Sequence, residues 1–326
     1  MLIPDHWAEA RRQFRTAKRQ VTVRRFGWSM SSADDASAMA ERRAEEALGR
    51  IIAGEELPRR EPKVPYNGAA GVPIREEVLA RHGEDVITRN AYGARCLNSP
   101  SALFADVDFE IPFHLGATVA TFAALALTAV GVGITQGSWR LTLGLLGAAI
   151  VLAAPTVTLL RYLSILMRGG AAAVARRRLR RFITSHREWN VRVYQTPGGL
   201  RLLATHRPYA PDDPDVGQFF QAVGADPIYV QMCLNQRCFR ARLTAKPWRI
   251  GIAAHMRPRP GVWPVSVERA SVRASWVAAY ETRAARYSSC RYLESVGSGV
   301  VDPRLRSVIA LHDRESRAND LLLAVA

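Results

Sequence analysis

The sequence predicts an α+β fold interrupted by a two-helix transmembrane hairpin, with the residues on either side of the hairpin folding together. Three observations carry this. Strand-like runs interleave with helix-like runs along the chain, two long uncharged apolar stretches lie back to back near its middle, and the basic residues are distributed unevenly around them.

The chain has 326 residues, of which 48% are hydrophobic, enough for one large core or two ordinary ones. Its formal net charge is +16, and residues 161–326 carry 27 Lys and Arg against 12 Asp and Glu, whereas residues 1–110 carry 17 of each. A half that is so basic is attracted to phosphates, of nucleic acid or of anionic headgroups. Cys96, Cys233, Cys238 and Cys290 form no CxxC pair, so reduced thiols in or near the core are expected rather than a disulfide framework or a zinc ribbon. The first twenty residues are charged and lack an apolar h-region, so no signal peptide is expected.

Taken in order, "VTVRRFGWS" (21–29) alternates as a strand does, and residues 31–54 open on Ser and Asp, continue in helix formers and end on Gly, which predicts a helix. Residues 57–75, with four prolines, read as loop. Residues 85–98 predict a β-hairpin turning at Ala91-Tyr92-Gly93, and residues 101–109 a third strand. Beyond the apolar region come a basic helix (171–189), two strands meeting at Pro197-Gly198-Gly199, two short helices (215–225 and 227–236), a strand "CFRARLT" (238–244), a long helix (266–287), and a last strand with a glycine loop (290–299). Several of these strands form hairpins, which favours α+β over a parallel doubly wound sheet.

The predicted divisions are residues 1–110, the hairpin at 111–168, and residues 169–326. Residues 111–135 are uncharged and rich in small apolar residues; residues 141–160 repeat this between Arg140 and Arg161. At about 1.5 Å per residue each can cross a hydrocarbon core of about 30 Å. Trp139 sits in the short link, where an interfacial aromatic is expected. Five arginines at 176–181 follow the second stretch, against one in the link, so the positive-inside rule puts both termini in the cytoplasm and the protein in the inner (cytoplasmic) membrane. The alternative is a helical hairpin buried in a soluble core.

Three clusters carry candidate chemistry. Asp106 and Asp108, two apart on a strand, project from the same face, and two hard oxygen ligands there can hold Mg²⁺ (or Mn²⁺) that also touches a triphosphate. Solvated carboxylates at a strand end are the plainer reading. In "YQTPGGLRLLATH" (194–206), the glycines let backbone approach an anion, and alternation brings Arg201 out beside the turn. In "CFRARLTAKPW" (238–248), Arg240 and Arg242, with Lys246 if the strand continues, line one edge as a phosphate track, while Phe239, Ala241 and Leu243 pack behind. His312-Asp313 reads as a pair on a helix surface, His114 as an interfacial residue, and Ser298 lacks the strand-turn-helix setting of a nucleophile.

A carboxylate pair on a strand, then a Thr-Pro-Gly-Gly hairpin, then a basic strand ending in Lys resembles the core of the archaeo-eukaryotic primase (primase-polymerase) superfamily. The resemblance implies an RRM-like palm, with Asp106 and Asp108 as catalytic metal ligands and Thr196, Gly198, Gly199 and Arg201 on the nucleotide-contacting strand. Arg201 stands where that family usually has His, and its third carboxylate has no assigned counterpart, Asp226 and Glu294 being candidates. The chain is also similar to a group of uncharacterised bacterial proteins sharing "VY.T..GLRLL.TH" and "CFRARLT.KPWR". The expected function is thus a membrane-anchored, Mg²⁺-dependent nucleotidyl transferase acting on nucleoside triphosphate and nucleic acid. Alternatives are a catalytically inactive tethered module that binds nucleotide or nucleic acid, and a DxD glycosyltransferase. A third carboxylate beside the DxD separates the first from the second.

Overall fold

The computed structural model describes residues 1–17, 19–61, 72–109, 114–259 and 263–326. The strands are β1 (His6–Arg15), β2 (Gln20–Ser29), β3 (Glu77–His82), β4 (Asp85–Arg89), β5 (Arg95–Ser99), β6 (Phe104–Asp108), β7 (Asn190–Thr196), β8 (Gly199–Ala204), β9 (Phe239–Arg242), β10 (Tyr287–Ser288), β11 (Arg291–Gly297) and β12 (Ala324–Val325). The helices are α1 (Ala33–Ile52), α2 (Leu115–Gln136), α3 (Trp139–Met167), α4 (Gly170–Ser185), α5 (Pro214–Val223), α6 (Pro227–Gln236), α7 (Val267–Ala284) and α8 (Arg306–Ser316). The chain is a mixed α+β protein that divides into two compact units, residues 1–107 with 180–326, and residues 108–179.

In the first unit, β1 and β2 form a ten-residue antiparallel ribbon covered by α1. Sequence reading missed β1, whose charges hide its alternation; β2 and α1 lie where expected. Ser32 caps α1 by accepting from the Asp35 N–H, and Ala36, Ala40, Ala44 and Ala47 form its buried stripe. Such small residues let helix and ribbon approach closely, and Gly27 on β2 is the point of contact: a Cβ there would lie 2.1 Å from the Ala36 carbonyl oxygen and 2.2 Å from the Ala40 nitrogen.

Two four-stranded sheets follow. One is the antiparallel meander β3-β4-β5-β9, in which the hairpin predicted at 85–98 supplies the centre. The other has the order β11-β7-β8-β6, so the predicted third strand, β6, lies beside β8 and not beside the hairpin that precedes it. Ion pairs fasten the C-terminal helices to the meander. Arg273 of α7 reaches Glu77 at 2.8 Å, Arg89 reaches Glu281 of α7 at 2.7 Å, and Arg95 reaches Glu315 of α8 at 2.9 Å. All four cysteines are free and buried, as their spacing suggested.

The second unit holds α2 and α3, both long and apolar enough to cross a membrane; only 11% and 17% of their most apolar windows are buried. Gly137 in the left-handed conformation (φ 62°) ends α2, and Ser138 caps α3. Their seam is made of small residues: Ala129 and Gly133 on α2, Ala149, Ala153 and Val157 on α3. Gly133 admits the Thr142 side chain, which a Cβ would meet at 1.6 Å. The helix α2 starts at Leu115 after His114 in an extended conformation, the predicted start at 111 lying outside the described residues, and α3 runs on past the predicted end to Met167.

Gly27→Ala is expected to destabilise the protein by about 3 kcal/mol, the upper end for overpacking, because the new methyl meets backbone that cannot turn aside. Gly49→Ala, on α1 with nothing within 4 Å of its Cβ position, should stabilise by about 0.5–1 kcal/mol. Denaturant midpoints of the two variants measure both effects.

Candidate functional site

Three strands converge on one guanidinium. Arg201, at the third position of β8, is 1% exposed, so its charge is shielded from bulk solvent. Its Nε donates to Asp106 Oδ1 at 2.8 Å and its Nη2 to Asp106 Oδ2 at 3.0 Å, a bidentate pair with β6 next door. Its Nη1 donates to the Arg242 carbonyl at 2.8 Å, at the end of β9 in the other sheet. Burial pushes the Arg201 guanidinium toward neutrality, but the Asp106 charge more than offsets this and holds it above its ordinary range. Alternation on β8 suggested that Arg201 emerges beside the turn. It does not, because β8 is buried on both faces and all six of its residues are enclosed.

The other predicted residues are distributed as follows. Asp108 is exposed at the last position of β6, beyond buried Val107. Thr196 pairs with Gly199 in the β7–β8 register, leaving Pro197 and Gly198 as the turn. Arg240 is buried too, and its Nη2 donates to both Glu76 oxygens, at 2.8 and 2.6 Å, while Thr88 donates to Glu76 at 2.7 Å. Phe239, Ala241 and Leu243 pack as expected, but β9 stops at Arg242, so Lys246 is not on the strand. Instead Lys246 precedes a 3-10 turn, Pro247–Ile250, with its Nζ 5.4 Å from the centre of the Trp248 ring.

A divalent metal of the Mg²⁺ type needs several free oxygens. Both Asp106 oxygens already accept from Arg201, and among the described residues no group of three or more His, Cys, Asp or Glu could hold a metal. Asp226 is close through its backbone, its N–H donating to the Asp106 carbonyl at 2.9 Å, but its carboxylate caps α6 by accepting from the Ile228 N–H. Glu294 lies on β11, at the far side of the sheet, within 3.8 Å of Arg180.

His312 is not on the surface of α8; it is completely buried. It lies against Phe104 and Tyr194, with Nε2 3.9 Å from the Cys290 sulfur and Nδ1 3.1 Å from Asp313. Asp313 accepts from the Tyr194 hydroxyl at 2.7 Å and from Arg192 at 2.6 Å. Burial opposes its charge, but the His312, Tyr194 and Arg192 donors outweigh that and hold the carboxyl below its usual range. These groups are enclosed and mutually satisfied, as a polar element of the core is. Ser298 donates to the Glu188 carbonyl and His114 only precedes α2, so neither gains a chemical role.

Sequence reading missed an aromatic surface. Trp248 is 55% exposed, with Tyr92 edge-on at 5.3 Å and the Lys246 ammonium over its ring. A groove of about 490 Å³ begins three residues further along the chain, runs along Gly251–Ala254 and is walled by Trp276, Tyr280 and Arg283. Trp276 stacks on Tyr280 and donates to the Ala254 carbonyl at 3.1 Å, while Arg283 donates to that of Gly251 at 2.9 Å, so the groove is held open by its own hydrogen bonds. The signal was a tryptophan between basic residues in "AKPWR", where weight went to Lys246 alone.

Compared with known proteins, the chain matches no family model, no curated protein and no solved structure.

Arg201→Ala is expected to cost about 3–5 kcal/mol, because it leaves a carboxylate and a carbonyl without their donor and opens a void. Urea unfolding measures this; a loss under about 1 kcal/mol would place Arg201 outside the fold's framework.

Proposed function

We propose that the chain is a membrane-anchored module whose α+β domain binds a base with its phosphates, as nucleotide or single-stranded nucleic acid, without catalysing transfer. One observation carries the reading: a half-exposed indole beneath a lysine, three residues before a groove that has Arg283 on its wall. A base stacks on an exposed aromatic face while cations take its phosphates, the general mode of single-strand binding. Lys246 over the Trp248 ring and Arg283 on the groove wall supply cations at this surface, and Arg249 is exposed next to Trp248 in the chain.

The transferase reading needs Asp106 to leave Arg201 for a metal, which would strand a buried guanidinium at a cost of several kcal/mol. Among the described residues neither Asp226 nor Glu294 directs its carboxylate to the pair, which favours binding over catalysis; Glu110, of the same parity as the pair, lies outside the described residues. The membrane reading is favoured because two apolar helices expose most of their surface, whereas core helices of a soluble protein bury theirs. With both termini in the cytoplasm of the inner membrane, the basic domain meets cytoplasmic ligands.

Trp248→Ala should weaken binding of a fluorescent single-stranded oligonucleotide by about 1–3 kcal/mol, the range for one lost stacking contact, and Lys246→Ala should also weaken it and lower its salt dependence. Asp108→Asn should leave binding unchanged with or without Mg²⁺. Anisotropy titrations of the full chain in detergent decide the matter. Binding that is insensitive to Trp248, or lost on Asp108→Asn, would overturn the reading.

A further inference from the structure

Resting on the reading of α2 and α3 as membrane spans, we propose that α4 docks its arginine face on the anionic headgroups of the leaflet from which the end of α3 emerges. From Gly169 to Arg187 the chain has no acidic residue and six arginines, of which Arg177, Arg178, Arg180 and Arg181 are exposed on the helix. At 3.6 residues per turn, Arg177, Arg178 and Arg181 fall within an arc of about 100°. Ala175, Leu179 and Phe182, the buried residues of α4, lie on the opposite side. Phe182 is fixed there by the rings of Trp189 and Phe219, at 4.9 and 5.3 Å. The helix therefore has one committed face and one arginine face turned away from it. Two of these arginines have protein contacts as well, Arg177 with the Arg168 carbonyl and Arg180 with Glu294 at 3.8 Å, and both remain exposed.

The length of α3 brings this face to the bilayer. Its 29 residues measure about 44 Å, close to the ~40–45 Å thickness of a bilayer with its headgroups, so Met167 comes out at the lipid surface. Gly169 and Gly170 follow, both left-handed at φ 84° and 87°. Only glycine adopts successive left-handed conformations without strain, and here they end α3 and start α4 in a new direction. Pointing straight outward, α4 would carry Arg181 about 21 Å from Met167, beyond the ~8–10 Å over which salt screens a surface potential. Lying along the surface brings all four arginines within that distance. A nucleic acid must diffuse to the helix, whereas the headgroups are tethered to it by two residues, which gives the lipid the higher effective concentration.

The test uses the full chain in vesicles that carry a headgroup-level quencher. A fluorophore is placed on Thr184→Cys, an exposed position on the same side of α4, and the four native cysteines are buried and do not compete. Quenching should be roughly two-fold or more stronger in vesicles containing phosphatidylglycerol than in phosphatidylcholine alone, and high salt or the R177Q/R178Q/R180Q/R181Q variant should bring it down to the phosphatidylcholine level. Equal quenching in the two lipids, or a quadruple variant that behaves as the parent, overturns the proposal. Displacement of the quenching by a single-stranded oligonucleotide, with oligonucleotide affinity lost in the quadruple variant, would make α4 a nucleic-acid face and also overturn it. Chain extracted by alkaline wash would show that the helices do not span. Trp248→Ala leaves the quenching unchanged, so this result and the binding result at the Trp248 groove fail or succeed separately.

Discussion

A guanidinium shielded from solvent has to find partners in the protein, and Arg201 places three hydrogen bonds on two different sheets. The Asp106 carboxylate takes two of its hydrogen bonds from the neighbouring strand, and the Arg242 carbonyl takes a third from the end of β9. The same carbonyl accepts from Ser289 at 3.2 Å, and the Tyr229 hydroxyl ties the Phe104 carbonyl to the Arg240 N–H close by. A charge in this position works only if every partner is in register, so it fixes how β8, β6 and β9 are placed as hydrophobic packing alone would not.

The clamp also explains how so basic a chain divides its charge. Arg89, Arg192, Arg201, Arg240 and Arg273 each meet an acidic partner in or near the interior. The formal surplus is left to the surface, where Arg177, Arg178 and Arg181 on α4, Arg283 on the groove wall, and Arg257 and Arg259 are exposed. Of the residues that the sequence offered as phosphate contacts, Arg201 and Arg240 are paired in the interior with Asp106 and Glu76, whereas Lys246 lies beside the exposed Trp248 ring.

How much could be read in the sequence follows from what each signal measures. Periodicity located α1, the β4–β5 and β7–β8 hairpins, and the two apolar helices, since strands and spans of those lengths leave local patterns. Alternation also put Arg201 and Arg240 correctly opposite their apolar neighbours. What it cannot report is whether the polar face meets water or another layer, and here the second face is covered; for the same reason His312 looked superficial and is buried. The strand β1 escaped notice because its less exposed alternate positions, Ala8, Ala10, Arg12 and Phe14, include a charge and two small residues, so its period of two in burial is not one in hydrophobicity. Trp248 was visible between Lys246 and Arg249, but only the fold forms the groove that begins at Gly251.

The central claim is that Asp106 and Arg201 are a structural pair and not one half of a metal site. A double-mutant cycle of Asp106→Asn and Arg201→Met, followed by urea unfolding with and without excess Mg²⁺, tests it most directly. The account predicts a coupling of about 2–3 kcal/mol, the upper range for residues in direct contact, that Mg²⁺ does not alter. A coupling near zero, or one that Mg²⁺ abolishes while stabilising the wild type through Asp106, would contradict it.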